Sequence, residues 1–389
     1  MSITPVRFQS KNGAYPQHEP VMLSDIASLN TATDIGPKSA YVSTENMLKG
    51  CAGVVFDDSD EQVKGVAYQK GDVLVSNIRP YLQKAWLADR YGTCSTDVLC
   101  IRPNEGVDSG YLYSLIGRDT FFVYMMQAAK GSKMPRGDKE FTMAFPVSYP
   151  TSPEEQQKIA ALFTEVDNLI SAASDEVSAL EEAKKGMMQK IFSQEVRFKR
   201  DDGTEYPDWE ELIIDDIGDI AMCKRVFKEQ TADVGDVPFF KIGTFGGTPD
   251  AYISRALYEE LKTKYSFPKK GTPLISASGT IGRIVIYNGE DAFYQDSNIV
   301  WLEHDDSVID EYLCQFYKYV DWSKLLEGTT IKRLYNKNFL EMEISVPSVP
   351  EQQKIADFLS SMDDAIAAAK DELAGYQELK KGLLQQMFA

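Results

Sequence analysis

Two stretches of this chain open in nearly the same letters: "SPEEQQKIA" at Ser152 and "SVPEQQKIA" at Ser348. Aligned without gaps, residues 155–192 and 351–388 agree at about half their positions, and Lys184, Lys185 and Gly186 answer Lys380, Lys381 and Gly382. Each copy reads as one long helix with a heptad of apolar residues. In the first, one seam holds Ile159, Val166, Ala173, Leu180 and Met187, and the other holds Phe163, Ile170, Val177 and Ile191, broken by Lys184. In the second the seams are Ile355, Met362, Ala369, Tyr376 and Leu383, then Leu359, Ile366, Leu373 and Met387, broken by Lys380. Such spacing over about five heptads predicts helices about 57 Å long that pack along their length. Two helices of one sequence pair antiparallel only if the chain returns, so Ile159, Val166, Ile355 and Met362 are expected to be buried in that seam. Ser152 with Glu155, and Ser348 with Glu351, fit capping boxes, and Pro153 suits the first helical position. A lysine at the same core position of both copies fits a register pin; snorkelling near a frayed end gives the same pattern.

The duplication reaches beyond the helices. "VRFQSKNGAYP" at Val6 resembles "VRFKRDDGTEYP" at Val196. "KGDVLVS" (70–76) answers "KGTPLIS" (270–276), and "STDVLCI" (95–101) answers "QDSNIVWL" (295–302). A tyrosine-rich helical stretch follows in each half. The order is therefore globular half, long helix, globular half, long helix, with short β-rich runs and turn glycines in the halves. We expect an α+β chain of two α/β modules, residues 1–150 and 196–347. They are separated and joined by two long antiparallel coiled-coil helices, residues 151–195 and 348–389, in a pseudo-twofold internal repeat. The helices match closely while the modules match only in skeleton, which suggests a common frame carrying two different surfaces.

Composition excludes several function classes. No apolar run approaches 18 residues, so no membrane partner is expected, and the N-terminus lacks the apolar core of a signal peptide. The five cysteines form no CxxC pair and their odd number argues against a disulfide framework, so reduced thiols in a cytoplasmic protein are expected. His18 and His304 have no ligand-spaced neighbours and read as incidental surface residues. There is no phosphate loop, GxGxxG, GxSxG or HExxH, and no Asn/Asp-Pro-Pro-aromatic tetrapeptide of adenine-methylating enzymes. No catalytic residue, metal or cofactor is expected. A net charge of -18 argues against bulk attraction to nucleic acid.

That charge is uneven. The two helical segments, 154–192 and 351–388, carry 15 acidic against eight basic residues, whereas residues 1–150 carry 16 against 15. Within the halves, basic loops rich in Gly, Ser and Thr occupy equivalent places: "SNIRPYLQK" (76–84) and "KGSKMPRGDK" (130–139), then "SASGTIGR" (276–283) and "EGTTIKRLYNK" (327–337). Arg and Lys read guanine edges or hold phosphates, and Asn, Ser and Thr add donors. Ordinary surface loops are often basic as well; it is the repetition that singles these out. The candidate DNA contacts are Ser76, Asn77, Arg79, Tyr81, Lys84, Lys133 and Arg136 in the first half. In the second they are Ser276, Ser278, Thr280, Thr329, Thr330, Lys332 and Arg333.

With "P…EQQKIA" opening each long helix and "RFK…G…YP.WE" (Arg197–Glu210) after the first, the whole chain resembles the specificity subunit of type I restriction–modification systems. The resemblance implies two target-recognition domains, each reading one half of a bipartite site in double-stranded DNA, held apart by the helices. It implies a non-catalytic subunit that docks two methyltransferase subunits, which methylate adenine, with restriction subunits as optional further partners. Three alternatives stay open: a protein-binding scaffold with two modules on a rod, an enzyme with a dispersed site, and a silent recombination partner of the same family.

Overall fold

The computed structural model describes residues 6–10, 13–325 and 333–388. The chain divides into two compact units, Met1–Asp175 with Lys370–Ala389, and Glu176–Ala369. The long helices, Pro153–Phe192 and Val349–Met387, therefore each give one half to each unit.

The two units are built on one plan. In the first, a four-stranded antiparallel sheet runs in the order Ala27–Asn30, Val98–Pro103, Val73–Ser76, Ala85–Leu87. In the second the order is Gly218–Ala221, Ile299–His304, Pro273–Ser276, Ile284–Ile286. The two repeated segments thus form the central pair of each sheet, with Val98 opposite Ser76 and Ile299 opposite Ser276. Strands Val73–Ser76 and Pro273–Ser276 are buried at every position, so both sheet faces are covered. The repeated Lys-Gly before them is a turn: Gly71 and Gly271 have φ of +93° and +101°, where a Cβ is disfavoured. Both amides then donate to the neighbouring edge, at Ala88 O and Tyr287 O, 2.8 Å each.

The "EQQKIA" motif ties each helix start to its own module. Glu155 is buried and accepts from Arg7 Nε at 3.1 Å and Nη2 at 2.8 Å. Glu351 is buried and accepts from Arg197 at 3.2 and 2.9 Å. A ring nitrogen completes each site: His18 Nε2 lies 3.2 Å from Glu155, and Trp209 Nε1 donates to Glu351 at 3.1 Å. Both glutamines that follow are fully buried. Gln156 donates to Pro150 O and accepts from Asp108 N; Gln352 donates to Pro347 O and accepts from Ile309 N. The capping boxes are accordingly half-formed. Glu155 N sits 3.5 Å from Ser152 Oγ, Ser348 Oγ has no hydrogen-bond partner, and both glutamate side chains serve the arginines. A bidentate charged partner outcompetes a single backbone N–H. His18 is therefore structural rather than incidental. So is His304, which contacts Asp310 at 3.2 Å; that hydrogen bond outweighs burial and raises its pKa.

The seam is buried as expected at Ile159, Val166 and Ile355, while Met362 is half-buried. Its far end differs: Met188 rather than Met187 is buried, packed with the core of the second module. Met188, Ile191, Ile355 and Leu359 pack with Ile275, Tyr312 and Phe316; Ile159, Phe163 and Met387 pack with Tyr111. The expected lysine pin is present twice, with its partners exchanged. In the first unit Lys380 Nζ meets Asp167 at 2.6 Å. In the second Lys184, buried, meets Asp363, the counterpart of Asp167 in the repeat. Burial lowers the pKa of Lys184 while the bond to Asp363 opposes it. Both contacts, and the ring pair Phe163–Phe388 at 6.0 Å, run antiparallel within their own units.

Candidate functional site

In each unit the basic loops converge on the turn before a central strand, Val98–Pro103 in the first and Ile299–His304 in the second. In the first, Asn77 N donates to Asp97 O, Gly137 N to Asn77 O, and Arg79 N to Pro135 O at 2.7 Å. Segments 76–84 and 130–139, which are far apart in sequence, therefore lie side by side. The second is a small hairpin closed by Lys130 and Arg136, which exchange both backbone hydrogen bonds at 2.9 Å. In the second unit Ala277 N donates to Asn298 O at 2.7 Å and Leu334 N to Ala277 O at 3.0 Å, so Arg333 takes the place that Arg136 has in the first.

The individual candidates divide into two kinds. Ser76, Asn77 and Ser276 are buried and shape the loops: Ser76 Oγ donates to Ile78 O, and Ser276 Oγ to Thr280 O. Lys84 is half-buried and donates to Thr44 O at 2.6 Å, while Ser278 donates to Asn298 Oδ1 at 2.8 Å. Tyr81, Lys133, Arg136 and Thr280 are exposed. Arg79 and Arg333 are half-buried, and Arg333 donates to Ser297 O at 3.0 Å. Thr329, Thr330 and Lys332 lie outside the described residues. Backbone strain gathers at these loops. Arg79 and Gln83, both at φ +51°, flank the turn Pro80–Leu82 in the first unit, and Ser297 has φ +55° on the turn before strand Ile299–His304 in the second. Left-handed non-glycine residues persist where the surroundings hold them, often at functional sites.

Outside the loops that the sequence singles out, Arg225 is exposed and donates from Nε to Asp296 Oδ2 at 2.8 Å. Sequence reasoning gave no hint of a cleft of about 1300 Å³ in the first unit, lined among others by Cys51, Trp86, Tyr113, Asp167, Lys380 and Phe388. Its origin is in the helix Ser109–Ile116 and the turn after it. Their counterparts in the second unit present Gln315 and Lys318 to Asp363 at 3.2 and 2.8 Å; the first unit has Ser114 and Gly117 there. Burial raises the Cys51 thiol to about 11, so it is un-ionised at neutral pH. Among the described residues no group of His, Cys, Asp and Glu could hold a metal ion, and no helix is long and apolar enough to cross a membrane.

Comparison with known proteins now bears on this geometry. Residues 206–375 match the family model described as a type I restriction modification DNA specificity domain. That match spans less than half of the chain, and the curated proteins that the chain resembles are named as type I restriction enzyme specificity subunits. A putative type I restriction enzyme specificity subunit of Haemophilus influenzae, S.HindORF215P, is 53% identical over 153 residues, 39% of this chain and 40% of that protein. The MjaVIII specificity subunit of Methanocaldococcus jannaschii is 26% identical over 366 residues, 88% of this chain and 84% of that one. In fold, the crystal structure of an S subunit from M. genitalium superposes with a TM-score of 0.60 at 14% identity, over 99% of each chain. The match to the family model covers most of the second module and most of the second long helix.

Proposed function

We propose that this chain is the non-catalytic specificity subunit of a type I restriction–modification system: it reads a bipartite site in double-stranded DNA, one half per module, and docks methyltransferase subunits that methylate adenine. The single observation that carries the reading is the convergence, in both units, of basic loops on the turn before Val98 or Ile299, through the hydrogen bonds Asn77 N to Asp97 O and Ala277 N to Asn298 O. Modules 1–150 and 196–347 act as the target-recognition domains. Arg79, Tyr81, Lys84, Lys133 and Arg136 face one half-site; Ser278, Thr280 and Arg333 face the other, to which Thr329, Thr330 and Lys332, outside the described residues, are assigned by sequence alone. Ser76, Asn77 and Ser276 hold those loops in shape. The acidic total is compatible with this, because a contact face needs only local positive charge. The helices offer the docking surface for the methyltransferase subunits, with the cleft beside Asp167 and Lys380 as one seat.

The test uses the complex with its methyltransferase and maps methylated adenine across a genome. A single bipartite motif is expected; a complex that assembles and methylates no motif favours a protein-binding scaffold. Exchanging residues 1–150 for the equivalent domain of another member should change one half-motif and leave the other intact. Adding four residues after Asp175 and four after Ala369 lengthens both helices by about 6 Å. The unspecified gap should then grow by about two base pairs, at 3.4 Å per pair. Altered bases within a half-site at constant gap would show that the helices themselves read DNA.

A further inference from the structure

We infer that Arg136 and Arg225 are guanine-reading side chains, one in each unit, each aimed by an aspartate on the turn before the central strand. The inference rests on the DNA-reading function proposed above and adds which base is read and by which residue.

Two carboxylates carry it. Arg136 donates from Nη2 to Asp97 Oδ1, and Arg225 from Nε to Asp296 Oδ2 at 2.8 Å. In both pairs the acid is the more buried partner: the aspartate side chains are 31% and 16% exposed, the arginines 57% and 60%. The carboxylate is thus part of the framework and the guanidinium stands out from it. Both aspartates are fixed further by the turn itself. Asp97 O accepts from Asn77 N, and Asp296 O accepts from Asn298 N at 2.7 Å. In the second unit, Arg333 donates to Ser297 O on this same turn.

A guanidinium carries five N–H donors in a planar fork. A carboxylate that engages one part of the fork leaves donors directed outward, and these match the O6 and N7 acceptors of guanine in the major groove. The aspartate does two things for selectivity. It removes rotamer freedom that would otherwise be lost on binding. Its negative charge also disfavours the phosphate contacts that a bare arginine makes on any sequence, so a neutral acceptor pair is preferred. Other exposed Arg–Asp pairs, Arg90 with Asp89 and Arg255 with Asp291, do not involve these turns. The two buttresses are not equivalent in register. Asp97 directly precedes Val98, whereas Asp296 lies three residues before Ile299, so the two readers stand at different places on their turns.

The experiment is motif mapping with the methyltransferase complex, together with affinity for the mapped site and for its single-base variants at several salt concentrations. The native motif should hold a G·C pair in each half. Arg225→Ala should relax one position in one half, with discrimination there falling about 5- to 150-fold, and should leave the other half unchanged. Arg136→Ala should do the same in the opposite half. Arg225→Lys, which keeps the charge and loses the fork, should discriminate as poorly as Arg225→Ala while largely retaining affinity at low salt. Asp296→Ala should lose discrimination at that same position while binding of unrelated DNA rises, a combination that a merely structural role does not give. A half-motif without G·C, variants that weaken all sequences alike, or unchanged discrimination overturns the assignment and leaves bipartite reading standing. A native complex with no bipartite motif removes both.

Discussion

Replacing Arg197 by alanine should destabilise the second unit by about 3–5 kcal/mol, because it strands a buried carboxylate. Glu351 is completely inaccessible, and Arg197 supplies two of its hydrogen bonds, with Trp209 supplying a third. The arginine is itself partly exposed, so the loss comes chiefly from the unpaired acid and not from an exposed ion pair. Arg197→Ala combined with Glu351→Leu should therefore recover much of the stability lost by the single change, since an apolar group of similar size needs no partner. Urea unfolding of the three proteins checks this. A single variant that unfolds at the parental midpoint means that the buried acid is satisfied some other way.

Val166→Asp should be at least as damaging, more than about 3 kcal/mol, since it places an unpaired charge in the helix seam. Val166 is 4% exposed, and Leu169, three residues along the same helix, is 44% exposed. Leu169→Asp should cost within about 0.5 kcal/mol, as surface changes usually do. Thermal melting of the pair separates seam from surface; equal melting points would remove Val166 from the seam.

The frame was legible in the sequence because it is written twice. The heptad gave the long helices, and the matched segments 70–76 and 270–276 turned out to be equivalent central strands. What the sequence concealed is tertiary. Glu155 looked like a local cap because Ser152 stands three residues before it, yet its partner Arg7 lies 148 residues away. His18 looked incidental because its role is visible only beside Trp209, which does the same work with a different ring. The loops containing Arg79, Arg136 and Arg333 were singled out as candidates because repetition marked their places. Arg225 was not among them, because its segment has no matching text in the first half. Ser76, Asn77 and Ser276 were read as donors toward DNA, whereas burial turns their polar atoms inward.

The exchanged lysine–aspartate pairs bear on how such a chain can change over time. Asp167 answers to Lys380 and Asp363 to Lys184, so neither helix copy can drift without a matching step in the other. A substitution at one locus selects its compensation in the opposite half of the gene, about two hundred codons away. The two helix copies are thereby held to a mutual fit, and in the second unit Gln315 shares it, bonded to both Lys184 and Asp363. Recombination that swaps a whole module and leaves the helix text intact inherits a ready-made frame. A crossover inside the helices instead joins halves whose charges have drifted separately, and stability is the first thing it puts at risk.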